Sequence, residues 1–447
     1  MGVEWGMDPG KEPGLGPEKE PGTDPAQGLA TPCYVIDLDR LDRNAADMRD
    51  AFRAEWGPRF RMGYSIKTNH LPYLLRHAKE QGFLAEAVSS DEYRLALAQG
   101  FRPDEVIYNG PRKDPDSLLF ALNHGSIVNI DNLQEIDLLA ARARELDRRS
   151  CRVGIRVNFD LESVCRGETS AGGEASRFGV CVENGDFAEA LGRLEGLGIP
   201  VQGLHMHFST RTRSLAVYRA LARKAAELVE RHRMHGSLKF VNIGGGFWGG
   251  RRMPGRPTME EYSRVICGEL RGAVDPEQVE LIAEPGASIL ATAAEYRTRV
   301  ANVRDVRGTR IVTVDGTYLH INPFLVEREH PYEVWPGAGF RGAGRPGTGS
   351  PEAGSPDPAA PDPLRASRQT VPLQIVCGST CMENDRLLRL RDEPELRPGD
   401  ILVFPCVGAY TMAYNSCFIL VPPDVYARRG DDIVRVRERK AEWMECV

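Results

Sequence analysis

The chain has no apolar run long enough to span a bilayer, no Cys-x-x-Cys pair and no block of basic residues. A spanning helix needs about 20 apolar residues, so the first absence argues against a membrane protein. The second argues against a zinc ribbon. The 10 cysteines are scattered between Cys33 and Cys446. In a reducing compartment they are expected as small buried hydrophobes without disulfides. The lack of basic runs, with a formal net charge of -6, argues against nucleic acid as the main partner. The opening MGVEWGMDPG lacks a basic region followed by an apolar core, so no secretory signal is expected. Gly6 stands where a myristoylation signal carries Ser or Thr, and the cytoplasm is the expected location.

What is present is enough chain for two packed domains: 447 residues, 41% of them hydrophobic. Residues 1–28 are rich in Pro, Gly, Glu and Asp and read as a disordered tail. A second low-complexity stretch, about 337–367, reads GAGFRGAGRPGTGSPEAGSPDPAAPDPLRAS. It has too little apolar surface to offset its ordering entropy, and is expected as a disordered insertion.

Between these stretches, apolar and β-branched runs alternate with amphipathic helical patterns. The runs are GYSIKT, FLAEAVS, EVIYNG, SIVNID, VGIRVNF, VQGLHMHF, KFVNIGG and VELIAEP. The helical segments LPYLLRHAKEQG and DEYRLALAQG each close on a glycine that suits a helix C-cap. Eight such strand–helix units predict a parallel (β/α)8 barrel over residues 29–290. From 291 to 447 the texture changes. TRIVTVDG, LQIVCG, DILVFPCVG and SCFILVPP read as strands of a mostly antiparallel β domain. The early run CYVIDLDRL either joins that domain or enters the barrel as a helix.

Catalytic groups of such barrels sit at the C-terminal ends of the strands. Those ends carry Lys67, Glu86, Arg156, His205, His207, Gly244, Gly245, Gly246 and Glu284. Lys67 lies in the apolar segment YSIK, where a desolvated lysine has a lowered pKa and can form a Schiff base. A strand-end lysine reaching solvent is the competing explanation. The three glycines can present backbone N–H groups to a phosphate, or form a flexible turn. They fit neither a nucleotide P-loop nor GxGxxG. His205 and His207 are two residues apart and face the same way. An HxH pair at a barrel strand end can bind metal, but further ligands are wanting on later strands, so His207 is the better candidate for a flat partner to an aromatic ring. Glu284 could hold a ring nitrogen protonated, or merely cap a helix.

Taken in order, these motifs resemble the alanine-racemase-fold (fold-type III) decarboxylases that use pyridoxal phosphate, the group of the diaminopimelate, ornithine and arginine decarboxylases. The resemblance runs from about Thr31 to Phe418, apart from the insertion. YSIKTN is similar to the group's lysine motif and implies that Lys67 carries the cofactor. AEAVSSDEY places Glu86 near it, and Arg156 is counted with the cofactor-binding residues. GLHMHFST implies that His207 stacks on the pyridine ring and Thr210 contacts the phosphate, although Ser209 and Thr210 replace the group's Gly and Ser. GGGF is similar to the phosphate glycines. Glu284 would pair with the ring nitrogen, making the cofactor a stronger electron sink. CGSTCMEND implies that Cys381 protonates the substrate carbon, within the active site of a neighbouring subunit, and hence an obligate homodimer. GAYTMAYNSCF places Tyr410 at the phosphate and Phe418 in the pocket. Read from the residues alone, Cys381 is an ordinary buried cysteine.

The departures bear on the substrate. EPGA puts Ala287 where the group has arginine. A second arginine, which diaminopimelate decarboxylases use for a substrate carboxylate, falls near Asn322. The acid that follows the catalytic cysteine is Met382, and Glu383 beside it would face the other way on a strand. Asn322, Met382, Glu383, Asp385 and Phe418 are therefore the expected substrate contacts. The expected substrate is a less charged, larger or conjugated amino acid or a biosynthetic intermediate derived from one, as in siderophore or antibiotic pathways. The alternatives are an amino-acid racemase or epimerase on the same barrel, a metal-dependent hydrolase using His205 and His207, and a catalytically silent partner-binding homologue.

Overall fold

The computed structural model describes residues 28–250, 253–325, 329–337, 368–415 and 417–440. Apart from Gly28 and Gly337, the expected tail and insertion lie outside the described residues. The described residues divide into two compact units: those within 40–291, and residues 28–39 together with the described residues from 292 onward.

The first strand, β1 (Cys33–Asp37), belongs to the second unit, and the helix Leu38–Trp56 follows it directly. This corrects the expected barrel start at residue 29. CYVIDLDRL does both things foreseen for it, as its first half is sheet and its second half opens a helix.

Eight strands close the first unit into a barrel. They are β2 (Phe60–Ser65), β3 (Leu84–Ala87), β4 (Val106–Tyr108), β5 (Ile127–Ile130), β6 (Arg152–Asn158), β8 (Val201–His205), β9 (Phe240–Asn242) and β10 (Glu280–Ala283). Each pairs in parallel with its neighbours, and β10 returns to β2. A two-residue strand, β7 (Val180–Cys181), pairs with β6 outside the ring. All eight expected runs are barrel strands. The intervening helices start where the sequence supplies caps. Ser89, Asp114, Asn132, Ser214 and Thr258 each accept a hydrogen bond from a first-turn N–H. The helices Pro72–Glu80 and Ser90–Ala98 end as expected at Gly82 and Gly100, both at positive φ.

Strand alternation stacks the barrel interior in layers. The lower layer contains Leu84, Ile107, Ile127, Phe240 and Ile282, one buried cluster, with Gly63, Gly154 and Gly203 at the matching positions of β2, β6 and β8. The glycines make room for a ring. A Cβ at Gly203 would lie 2.1 Å from Phe240 Cε2, and one at Gly154 would lie 2.9 Å from Phe240 Cζ. Two residues further along each strand the interior turns polar.

The second unit is a nine-stranded sheet. Its strands after β1 are β11 (Ala294–Val306), β12 (Thr309–Val314), β13 (Glu333–Trp335), β14 (Thr370–Cys377), β15 (Arg386–Pro394), β16 (Ile401–Phe404), β17 (Asp424–Arg429) and β18 (Asp432–Arg437). Pairing is antiparallel except between β1 and β17 and between β12 and β14. The expected strand in SCFILVPP does not form. Ile419 is at φ 50°, and the two prolines that follow cannot donate to a ladder, so pairing starts only at Asp424. The described chain on either side of the insertion is held by one buried carboxylate. Asp400 accepts from Gly337 N at 3.1 Å and pairs with the Arg368 guanidinium.

Candidate active site

The polar layer of the barrel takes one residue from each strand or the position just after it: Ser65, Glu86, Asn109, Asn129, Arg156, His205, Asn242 and Glu284. All are buried. Burying so many polar groups is costly unless they are hydrogen-bonded, and most of their polar atoms are; Asn129 Oδ1, Arg156 Nε and His205 Nδ1 have no partner among the described residues. Ser65 Oγ donates to Glu86 Oε2 at 2.7 Å. Asn109 Nδ2 donates both to Glu86 Oε1 at 3.0 Å and to Glu284 Oε1 at 2.8 Å. Asn129 Nδ2 donates to Asn109 Oδ1 at 2.7 Å, and Asn242 Nδ2 to Glu284 Oε1 at 2.6 Å. His205 Nε2 lies 3.2 Å from Glu284 Oε2.

Lys67 sits two residues past the end of β2, on the single 3₁₀ turn Ile66–Thr68 rather than in the strand itself. Its Nζ lies 2.7 Å from Glu86 Oε2 and is partly exposed, while Glu86 is enclosed. The ammonium therefore stands at the rim of the layer, held by a carboxylate from below.

His207 lies just beyond β8. Its ring is within 9° of parallel to that of His205, with centroids 6.2 Å apart. Gly245 N donates to His207 Nδ1 at 3.2 Å, and Arg156 Nη2 donates to the His207 carbonyl at 3.3 Å. Desolvation, then the charges of Arg156 and Lys67, hold the His207 imidazole well below its ordinary pKa, so the ring is neutral and flat against whatever it faces. Burial alone would push Glu284 up. The His205 imidazole bonded to it and the Lys67 charge outweigh that and hold the carboxyl below the usual range.

The glycine loop follows β9. Gly244 and Gly246 are at φ 73° and 88°, a region that side chains other than glycine's rarely adopt. A Cβ at Gly244 would lie 2.5 Å from His207 Cβ, and one at Gly245 would lie 2.3 Å from the Glu284 carbonyl oxygen. The first two amides of the loop are committed within the barrel, Gly244 N to Asn242 Oδ1 at 2.9 Å and Gly245 N to His207 Nδ1. Gly246 is the exposed member of the three.

The structure thus brings Lys67, Glu86, Arg156, His205, His207, Gly244 to Gly246 and Glu284 to one end of one barrel. Thr210 lies on the loop after β8 and bridges to Thr169. Sequence reasoning missed Asn109, Asn129, Asn242 and the buried Asp131 that pairs with Arg156 at 3.2 Å. The available signal was strand parity, because each asparagine follows a core residue by two.

The remaining candidates lie in the second unit. Cys381 is exposed on the loop between β14 and β15. Asp385 does not face outward as a substrate contact would. It is buried and closes that loop, accepting from Thr317 Oγ1 at 3.0 Å, Tyr318 N at 2.7 Å and Thr380 N at 3.1 Å. Glu383 points to solvent and pairs with Arg386 at 2.8 Å, and Met382 is half-buried. Asn322 is buried with its amide on the Tyr318 hydroxyl. Tyr410, at φ 67°, is part of an aromatic cluster with Phe324 and Tyr414, at centroid distances of 6.5 and 6.4 Å. Phe324, Tyr414, Phe418 and Ile419 are exposed. The nine described cysteines are free. Among the described residues no helix is long and apolar enough to cross a membrane.

The groups present fit pyridoxal phosphate. A lysine amine is available for its aldehyde, a buried ionised carboxylate for its ring nitrogen, a neutral imidazole for its ring face and a glycine loop for its phosphate end. A (β/α)8 barrel carrying these groups, in a chain with a second, mostly antiparallel β unit, has the chemistry of a pyridoxal-phosphate enzyme. Residues 38–291 match the family model described as pyridoxal-dependent decarboxylase, pyridoxal binding domain. The chain belongs to that family, and it is a pyridoxal-phosphate-dependent carboxy-lyase acting on amino acids. It is 24% identical over 438 residues to the diaminopimelate decarboxylase of Zymomonas mobilis, covering 93% of this chain and 94% of that one. The solved diaminopimelate decarboxylase of M. jannaschii in co-complex with L-lysine matches with a TM-score of 0.75 at 21% identity, over 93% of this chain and 91% of the other. The arginine decarboxylase of Paramecium bursaria Chlorella virus, bound to agmatine, matches with a TM-score of 0.68 at 20% identity, over 90% and 97%. Family membership displaces the metal-hydrolase, racemase and silent-homologue alternatives.

Proposed function

We propose that the chain is a cytoplasmic homodimeric decarboxylase whose substrate is an amino acid, or an intermediate derived from one, with a less charged or bulkier distal end than diaminopimelate or ornithine. The carrying observation is Lys67 Nζ at 2.7 Å from the buried Glu86, at the rim of a hydrogen-bonded layer that ends in Glu284. Pyridoxal phosphate, when bound, supplies the electron sink for the carbon that loses CO2. Lys67 would hold the cofactor covalently through its ε-amine. Glu284 would hold a proton on the ring nitrogen, and its donors, Asn109 and Asn242, fix the carboxylate in place. His207 would cover one face of the ring. Thr210 and the glycine loop would receive the phosphate end, together with Tyr410. Cys381, contributed by the neighbouring subunit, would return a proton to the substrate carbon. Its exposure on the β14–β15 loop supports that role, and the exposed cluster of Phe324 and Tyr414 supports self-association. Ala287, Asn322 and Met382 offer no charge to a distal group of the substrate, which is what disfavours doubly charged amino acids.

The test is spectroscopic first. The purified protein with added cofactor should show a visible band that borohydride bleaches, with the label mapped to Lys67 and lost in Lys67→Ala. A screen of amino acids should then yield CO2 with the wild type alone. Transamination without CO2 release would overturn the reading.

A further inference from the structure

Three buried rings lie beneath the glycine loop: Tyr218, Phe247 and Tyr262. Tyr218 stacks on Phe247 at 4.5 Å, and Tyr262 stands edge-on to Tyr218 and Phe247 at 4.9 and 5.2 Å. Their hydroxyls reach two different segments. Tyr218 Oη donates to the carbonyl of Gly245 at 2.9 Å, and Tyr262 Oη donates to the carbonyl of Arg213. The loop after β8 and the loop after β9 are thus fastened to one aromatic platform.

Arg213 is held there in a left-handed conformation, φ 53°, which a non-glycine residue adopts at some cost. Its Nη1 donates to the carbonyl of Phe247 at 3.5 Å, the residue that follows the glycines. Its guanidinium carbon lies 4.3 Å from the centroid of the Trp248 ring, and the indole is itself fixed by Nε1 on the Thr212 carbonyl at 2.9 Å. The next residue, Ser214, caps the helix Leu215–Arg231, whose first turn carries Tyr218. The cation is therefore placed by the Phe247 carbonyl, one residue past Gly246, by a strained backbone, and by the Trp248 face, whose ring Arg256 also meets at 4.0 Å.

A phosphate ester carries close to two negative charges at neutral pH. The glycine loop cannot meet that charge alone, because the amides of Gly244 and Gly245 are committed to Asn242 and His207. We infer that Arg213 is the residue that binds the phosphate group of the cofactor through its guanidinium, using the planar fork suited to that group. The inference rests on the reading that the glycine loop receives the phosphate.

The test compares two ligands on the full-length chain: pyridoxal phosphate and pyridoxal, which lacks the phosphate. Dissociation constants come from absorbance titration, with folding checked by circular dichroism. Arg213→Met should weaken pyridoxal phosphate about ten- to hundredfold, the range for a lost charged hydrogen bond, and leave pyridoxal unchanged. Arg213→Lys keeps the charge and the packing on Trp248, and should show the same selective loss at smaller amplitude if Arg213→Met does not fold. Equal weakening of both ligands, or no weakening, would overturn the assignment. A wild type that binds neither ligand would overturn the cofactor reading itself, and the assignment with it.

Discussion

Asn109 holds two carboxylates with one amide nitrogen. Glu86, the partner of Lys67, and Glu284 both accept from Nδ2, while Oδ1 is fixed by Asn129. Asn109→Leu keeps the volume and leaves both carboxylates short of a donor. A lost hydrogen bond to a charged group is worth about 1.5–3 kcal/mol, so kcat/KM should fall about ten- to hundredfold. Steady-state kinetics, with the pH dependence of the cofactor spectrum, would check this, because a merely structural defect would leave the spectral pKa in place. At this scale Lys67, Glu86, His205, His207 and Glu284 were legible because their side chains are chemically reactive and stand at strand ends. Asn109, Asn129 and Asn242 were not, because an asparagine beside a turn reads as a turn former. Only closure of the ring turns their amides inward.

The strand-end loops depend on a buried ion pair. Lys113 Nζ donates to the carbonyls of Gly110 and Asn129 at 3.0 and 2.9 Å and to Glu135 Oε1 at 3.0 Å, with its side chain fully enclosed. Glu135 also accepts from Asp131 N at 3.0 Å, and Asp131 in turn holds Arg156. One clasp therefore sets the ends of β4 and β5 and, through Arg156, the carbonyl of His207. Lys113→Met leaves a buried carboxylate without its cation and should cost about 3–5 kcal/mol, whereas Lys113→Met with Glu135→Leu removes that carboxylate and should recover part of the loss, the Gly110 and Asn129 carbonyls and the Asp131 N–H still lacking these partners. Chemical denaturation of the single and double variants would decide. The elements themselves were mostly readable, since the eight barrel runs and the caps at Ser89 and Thr258 are local patterns. SCFILVPP was misread for a local reason too: its apolar content outweighed the two prolines.

For the molecule as a whole, groups shifted in opposite senses set the acid response: burial raises the Glu92 carboxyl to about 7, while two histidines are lowered. Burial, with the nearby Arg439 and Arg437 charges, lowers His320 from 6.5 to about 3, and His207 is also lowered. Below pH 6.5 the unfolded histidines are protonated and the folded ones are not, so stability falls as pH drops, by up to about 1.4 kcal/mol per unit for each group. Between pH 6.5 and about 5 the histidines therefore give the melting temperature a downward slope with falling pH, opposed by Glu92, which binds a proton in the folded state there. His320→Gln, which leaves Tyr296 Oη a partner, should flatten that slope. An unchanged slope by calorimetry would refute the assignment of this acid sensitivity to His320.

Hydrophobic periodicity and turn chemistry act over a few residues, so the order of strands, the helix caps and the chemically reactive strand-end residues were determined by the sequence alone. The assignment of β1 to the second sheet was decided elsewhere in the chain, because Cys33–Asp37 finds its partners in β11 and β17, more than 250 residues away. The polar layer has the same origin. An amide or a carboxylate on one short strand has no defined partner until eight strands close and bring their i+2 positions to one level, where burial makes hydrogen bonding among them obligatory.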